Sequence, residues 1–227
     1  MMLRPRARSV VDQTAFAFER GQMNKPLRHR AAALATPRPP AGRIRIIGGQ
    51  YRRTPILVID AVGMRPTPDR VRETVFNWLQ HLLSDWDRIC ALDLFAGSGA
   101  LGFEMASRGA RRVVLVESNA RIAQALRALQ RRLAARAVQV LQADWRLALT
   151  RLAPEVFDVI FLDPPYESGL LGDALGAVHP LLAPGGLVYA EAPHPLEAGR
   201  LIEQGWEPVR GGKAGSVYFH LLRERSC

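Results

Sequence analysis

The residues Asp163-Pro164-Pro165-Tyr166 set an acid, two prolines and an aromatic ring directly after the apolar run Phe157-Asp158-Val159-Ile160-Phe161-Leu162. Such a run reads as a strand buried on both faces of a parallel sheet. Two prolines cannot continue a ladder, so the chain must turn just past the strand's carboxyl end, the edge at which open α/β sheets bind ligands. The turn offers the Asp163 carboxylate, a Pro164 carbonyl followed by a residue without an N–H, and the flat ring of Tyr166. Asp163 and the Pro164 carbonyl would accept the two hydrogens of an exocyclic amine on a planar base, favouring a pyramidal nitrogen with a localised lone pair. Positive charge grows on that nitrogen as it attacks a methyl group, so these acceptors would bind the transition state better than the ground state. Tyr166 would stack on the base, a contact worth roughly 1–3 kcal/mol. The reaction would be an in-line displacement without a covalent enzyme intermediate.

The second reactant needs its own site, and the sequence offers one upstream. Ile89-Cys90-Ala91-Leu92-Asp93-Leu94 is another buried-strand run, followed by Phe95-Ala96-Gly97-Ser98-Gly99-Ala100-Leu101-Gly102. Glycines at a strand-to-helix turn let the backbone approach a ligand closely. Gly97, Gly99 and Gly102 match the dinucleotide fingerprint literally, and the next strand, Arg112–Glu117, ends in an acid placed to grip ribose hydroxyls. The glycines fit a nicotinamide cofactor and S-adenosylmethionine equally, since both contain adenosine. The turn at Asp163 separates them, because hydride transfer has no evident use for an amine clamp. Singly, each feature has a plain structural alternative: Glu117 as a solvated strand end, Asp93 as a helix cap, the glycines as helix packing. Their arrival in order along one chain argues against coincidence.

These residues need a framework to hold them. Val71, Val75, Trp78, Leu79 and Leu82 share one helical face, and Ile122, Leu126, Leu129 and Leu133 form a second stripe, leaving Arg127, Arg131 and Arg132 towards solvent or RNA. After Tyr166 the pattern predicts a helix over about Leu170–Leu182, a strand over Gly186–Glu191 entered through Pro184-Gly185-Gly186, and a helix over Pro195–Gln204. A closing hairpin of Trp206–Arg210 with Ser216–Arg223 completes it.

The chain resembles the bacterial RsmD-type family, which methylates the N2 amine of a guanine in 16S ribosomal RNA. The resemblance runs from about Arg43 to the C-terminus. It rests on Arg45-Ile46-Ile47-Gly48-Gly49, on Arg65-Pro66-Thr67 through Arg72-Glu73-Thr74-Val75-Phe76-Asn77-Trp78-Leu79, on Leu92–Gly99, on Ser107-Arg108-Gly109-Ala110 and on Asp163–Tyr166. The resemblance implies a Rossmann-like methyltransferase fold of the α/β class, a mostly parallel seven-stranded sheet with one antiparallel strand. It implies that Asp93, Phe95, Gly97, Ser98 and Gly99 line an S-adenosylmethionine site, with Glu117 on the ribose. It gives Asp144 the adenine amine, the alternative being a helix cap before Trp145. Thr67 would help cover the cofactor; alternatively it is an N-cap with Pro68 at the first helical position. Gln130 stands where the family's pattern leads us to expect asparagine.

The net charge of +10 implies a polyanionic partner. Residues 1–42 hold eight basic and two acidic side chains, +6 of that total, and read as a disordered basic tail, with Met23 as an alternative start. An organelle transit peptide is the weaker reading of this tail. Residues 43–64 read as a small hairpin, with Gly48-Gly49 near its turn. Arg43, Arg45, Arg52 and Arg53 would grip RNA phosphates there, with Tyr51 free to stack, and Arg65, Arg70 and Arg72 would extend the surface towards the pocket. A charged, solvated strand edge is the alternative. Residues 65–227 form the methyltransferase domain. His179 and His194 adjoin prolines and read as loop residues. Two cysteines, Cys90 and Cys227, suggest neither a disulfide scaffold nor a metal site and suit a reducing cytoplasm. No apolar run is long enough to span a bilayer, and nothing demands more than a monomer. Competing functions are a DNA adenine-N6 methyltransferase, for which no separate target-recognition domain is evident, and a non-catalytic ribosome-assembly factor acting on the small subunit or an assembly intermediate.

Overall fold

A computed structural model of the chain describes residues 44–59, 67–152 and 156–225. The basic tail with Met23, Arg43, Arg65 and Cys227 lie outside the described residues. The elements follow as β1 (Ile44–Arg45), β2 (Pro55–Ile56), α1 (Asp69–Leu82), β3 (Cys90–Asp93), α2 (Ala100–Ser107), β4 (Arg112–Glu117), α3 (Ala120–Arg132) and β5 (Val138–Gln142). They continue as α4 (Trp145–Leu152), β6 (Phe157–Leu162), α5 (Leu170–Ala177), β7 (Leu182–Ala192), α6 (Ala198–Glu203), β8 (Trp206–Ala214) and β9 (Val217–Glu224).

Strands β3 to β9 form one seven-stranded sheet in the order β5-β4-β3-β6-β7-β9-β8. Its one reversed strand is β9, which pairs antiparallel with both β7 and β8. Alternate residues of the central strands go to opposite faces. Ala91, Val113, Leu115, Val159 and Phe161 pack with Val75 of α1, Phe103 of α2 and Leu126 of α3. Cys90, Leu92, Val114, Val116 and Ile160 pack with Ala148 of α4, Leu175 of α5 and Leu201 of α6. Helices on both faces are the reason these strands read as unbroken apolar runs. From β3 the chain first builds outward through β4 and β5, then returns to build β6 and β7 on the other side. The carboxyl ends of β3 and β6 therefore flank the switch point, where a crevice opens.

Several boundaries differ from the sequence pattern, among them the start of α6, at Ala198 and not at Pro195. Helix α5 ends at Ala177 and a single 3₁₀ turn, His179–Leu181, replaces the expected last helical turn. Pro180 lacks the N–H and its ring clashes with the preceding turn, which stops an α-helix there. Strand β7 begins at Leu182, not at Gly186. Its pairing with β6 shifts from Phe157↔Leu182 to Val159↔Leu187, so Pro184-Gly185-Gly186 form a bulge within the strand. Strand β8 continues to Ala214, because the glycine-rich stretch Gly211–Gly212 stays paired with His220 and Phe219.

The amino-terminal ribbon pairs Ile44 with Ile56 and Arg45 with Pro55. Its connection is longer than a tight turn at Gly48-Gly49, because those glycines are spent on docking to α2. Glu104, fully buried, accepts from Ile47 N at 2.7 Å, Gly48 N at 2.9 Å and Arg108 Nε at 2.8 Å. Ser107 Oγ donates to the Gly48 carbonyl and accepts from Tyr51 N at 2.8 Å. Gly49 has φ +73°, and a Cβ there would run into the Ser107 carbonyl. Arg132 of α3 donates to the Pro55 carbonyl at 2.7 Å, and Ile44, Ile46 and Ile56 join the core. Gln130 is absorbed structurally, its amide donating to the Val138 carbonyl. Among the described residues no helix is long and apolar enough to cross a membrane.

Candidate active site

The switch-point crevice is built first from β3. Its last residue, Asp93, is 2% exposed, and its Oδ2 accepts from Gly102 N of α2 at 3.1 Å. A Cβ on Gly102 would overlap Leu115 Cδ2, so glycine is what lets α2 sit close enough for that bond. Burial pushes the Asp93 carboxyl up to about 7; the Gly102 N–H opposes this and the Glu117 charge adds to it. The following loop is laced to the sheet by Leu94 N to Phe161 O at 3.1 Å and Ala96 N to Val116 O at 2.9 Å. Glu117, ending β4, takes Gly97 N on Oε2 at 3.0 Å and Asn119 N on Oε1 at 2.7 Å. Each oxygen keeps a lone pair that a ribose hydroxyl can use.

A cavity of about 360 Å³ runs from this wall to the Asp163 turn. Asp93, Phe95, Gly97, Ser98, Glu117, Asp144 and Thr67 line it, together with Asp163, Pro164 and Tyr166. Of the expected cofactor residues, Gly99 lies off this wall: it is the N-cap of α2, with Phe103 N bonded to its carbonyl at 2.9 Å. Asp144 meets both of its readings. Its Oδ1 accepts from Arg146 N at 2.9 Å at the start of α4, while the side chain borders the cavity. Phe95 and Trp145 pack as tilted rings at 5.9 Å beside it.

At the opposite end, β6 and β7 run parallel with Leu162 beside Ala190, so Asp163, just past the end of β6, neighbours Glu191, which is still paired with Phe219 within the sheet. Thr67 joins them. Its hydroxyl donates to Glu191 Oε1 at 2.7 Å and also lies 3.3 Å from Asp163 Oδ2. The N-cap of α1 is Pro68, so Thr67 has no capping role. Tyr189 OH donates to Glu191 Oε1 at 2.7 Å, and Tyr166 OH reaches Glu191 Oε2 at 3.4 Å. Burial holds the Asp163 carboxyl well above the usual range, with the Glu191 charge and then that of Asp93 adding to it. Burial raises Glu191 too, against the three hydroxyls that favour its charged form. Glu191 was not foreseen. Its signal is the one that marked Glu117, an acid closing an apolar strand run, here Leu187-Val188-Tyr189-Ala190.

The basic residues divide. Arg45 is exposed on β1 and pairs with Asp69 at 3.5 Å. Arg52 and Arg53 are exposed in the ribbon's turn, and Arg70 is exposed on α1. Arg72 is no part of that surface: it is fully buried, with Nη2 donating to Asp69 Oδ1 at 2.7 Å and to the Arg45 carbonyl at 3.0 Å. The ribbon covers the helical face on which Arg72 stands. Tyr51 likewise packs half-buried against the core instead of offering a free stacking face. His179 is structural, stacked on Trp206 at 4.1 Å and bonded to Glu224 at 2.8 Å.

A family model described as "Conserved hypothetical protein 95" matches residues 44–223. The chain belongs to this family. This family member is 37% identical over 191 residues to the "Ribosomal RNA small subunit methyltransferase D" of Escherichia coli strain K12, covering 82% of this chain and 92% of that one. It is 35% identical to the solved structure of the Escherichia coli protein yhhF, with a TM-score of 0.66 over 82% of this chain and 100% of the other. A precorrin-6y C5,15-methyltransferase of Geobacter metallireducens, 19% identical, shares the fold at a TM-score of 0.57 over 71% of this chain and 90% of that one. The expected methyltransferase fold is the one observed.

Proposed function

We propose that this protein transfers a methyl group from S-adenosylmethionine to the exocyclic N2 amine of a guanine in 16S rRNA of the small ribosomal subunit or its assembly intermediate. The observation that carries the reading is one cavity with a ribose-type acceptor, Glu117, at one end and an amine clamp, Asp163 with the Pro164 carbonyl, at the other. The residues present fit the cofactor: Glu117 would hold ribose hydroxyls, Asp144 the adenine amine, Phe95 the adenine face and Asp93 the cationic end. When bound, S-adenosylmethionine supplies an electrophilic methyl group.

The protein's part is positioning and charge. Asp163 and the Pro164 carbonyl accept the amine hydrogens and aim the nitrogen lone pair down the cavity. Bringing two reactants together in this way supplies much of the acceleration. Tyr166 sets the angle of the stacked base. The nitrogen gains positive charge as its bond to the methyl carbon forms and the carbon–sulfur bond breaks, and it must then lose a proton. Asp163 is the group at hand, and its raised proton affinity suits it to take that proton.

The ribosomal substrate is supported by the name of the Escherichia coli relative and by the sequence resemblance. Arg45, Arg52 and Arg53, with Arg43 and Arg65, would hold RNA phosphates, so residues 43–64 serve as the RNA grip, 65–227 as the methyltransferase body and 1–42 as a basic tail. A cytoplasmic monomer suffices for this.

The test incubates the protein and methyl-labelled S-adenosylmethionine with small subunits lacking base methylation, naked rRNA and duplex DNA, then identifies the labelled nucleoside. N2-methylguanosine from the subunits or the rRNA is expected. Label in DNA adenine would overturn the substrate, and no label with cofactor bound would overturn the enzymatic reading.

A further inference from the structure

Nothing in the methyl transfer itself uses Glu191, yet it is a 2% exposed acid held beside the catalytic turn. Thr67 and Tyr189 both donate to Oε1, at 2.7 Å each, which turns that oxygen inward. Among the described residues Oε2 has only Tyr166 OH at 3.4 Å, beyond the range of a good O–H···O bond. Glu191 also borders a second cavity of about 730 Å³ between α5 and α6, which shares Pro164, Pro165 and Tyr166 with the first. Charged groups around that second cavity are mostly acidic: Asp173, Glu197 and Glu203 accompany Glu191, against Arg200. Such a lining repels phosphate and suits the donor edge of a base.

We propose that Glu191 reads the N1–H of the target guanine, making the Asp163–Glu191 pair a selector for that base. The inference rests on the guanine-N2 reading above. Guanine presents three donor hydrogens in a row, two on N2 and one on N1. Asp163 and the Pro164 carbonyl take the first two, and Glu191 Oε2, next along the same sheet edge, takes the third. An ionised carboxylate only accepts, so a base with a lone pair at N1 meets repulsion and leaves a buried acceptor unpaired. Adenine is one such base and 2-aminopurine is another. The latter keeps the reactive 2-amine and loses only the N1–H and the 6-oxygen.

The test uses 16S rRNA ligated with guanine or 2-aminopurine at the position the protein labels, assembled into the particle that supports labelling, with wild-type protein and Glu191→Gln. Wild type should methylate the 2-aminopurine particle about 10- to 100-fold less efficiently in kcat/KM. Glu191→Gln, whose amide can donate to a lone pair at N1, should lose activity on guanine and shrink that ratio about tenfold or more. Comparing ratios cancels the contribution of the missing 6-oxygen. Unchanged cofactor affinity and melting temperature would show that the variant is folded. Equal wild-type efficiency on both bases would overturn the role of Glu191 even if the variant does not fold, and so would a variant that keeps the wild-type ratio. Failure of wild type to label any guanine would instead remove the guanine-N2 reading, and this inference with it.

Discussion

Asp93 gives the most quantitative handle on the cavity. Its carboxyl rises from 3.8 to about 7, chiefly because burial disfavours the charged form. The sign follows from where the proton goes. Below about pH 4 the acid is neutral in the folded and unfolded chains alike, and burial costs nothing through ionisation. Between about 4 and 7 the unfolded chain releases the proton while the folded protein keeps it, so stability falls as pH rises. Above about 7 both forms are ionised and the full cost applies, on the order of 4 kcal/mol at 1.36 kcal/mol per unit. Asp93→Asn keeps an oxygen for Gly102 N and removes the titration. Urea unfolding of both proteins without cofactor, at pH 5 and pH 8, should show wild type losing about 3 kcal/mol more than the variant across that interval. Asp163 and Glu191 titrate in both proteins, so their contribution cancels apart from the smaller effect of the Asp93 charge on Asp163. S-adenosylmethionine, a cation, should bind wild type more weakly as pH falls below about 7 and bind the variant with little pH dependence. Parallel pH curves for the two proteins would refute the assignment of a buried, neutralised acid to this position.

Further outcomes are open to measurement. Asp163→Ala should lower methyl transfer by about a thousandfold or more while cofactor affinity stays within about threefold, as read by labelled transfer beside calorimetric titration. Normal turnover would remove Asp163 from the chemistry. Glu117→Ala should weaken cofactor binding about 10- to 100-fold, because ribose acceptors are lost and Gly97 N loses its partner. Unchanged affinity would count against the ribose role. Gly49→Ala should destabilise the protein by about 2–4 kcal/mol, since the new Cβ meets backbone at Ser107 and φ is left-handed. A neutral effect in urea unfolding would show that the ribbon does not dock as described. Replacing Arg52 and Arg53 together by alanine should flatten the salt dependence of RNA binding by about one to two units of slope, with cofactor affinity untouched.

Most of the sheet was legible because parallel strands covered on both faces leave continuous apolar runs, and each run here ends in a residue of a different chemical kind. Asp93, Glu117 and Asp163 follow that rule, Asp144 comes from the family resemblance, and all four border one cavity. What escaped detection depends on partners far along the chain. Thr67 bonds to a residue 124 positions away, and nothing near it in sequence distinguishes that role from a helix cap. Arg72 looks like a surface cation on an amphipathic helix until the ribbon is seen to cover it. Asp69 then serves two guanidiniums, those of Arg45 and Arg72. The bulge at Pro184-Gly185-Gly186 was read as a plain turn because bulge and turn use the same residues, and only pairing with Phe157 tells them apart. Glu191 follows the same rule, but nothing local shows that its strand lies beside the one that ends at Asp163.

The docking of the ribbon on α2 has a consequence for exchanging parts between relatives. One eight-residue helix has its first turn against Asp93 and its last turn, through Glu104 and Ser107, under the ribbon. Transplanting residues 44–56 alone would bring in backbone N–H groups with no assured acceptor and would strand a buried carboxylate in the recipient. The transferable unit is ribbon plus helix, and moving it also moves the glycine that holds the cavity wall in place. Swaps of the ribbon between family members would therefore alter the cofactor side as well, unless the seam is cut within α2 between Gly102 and Glu104.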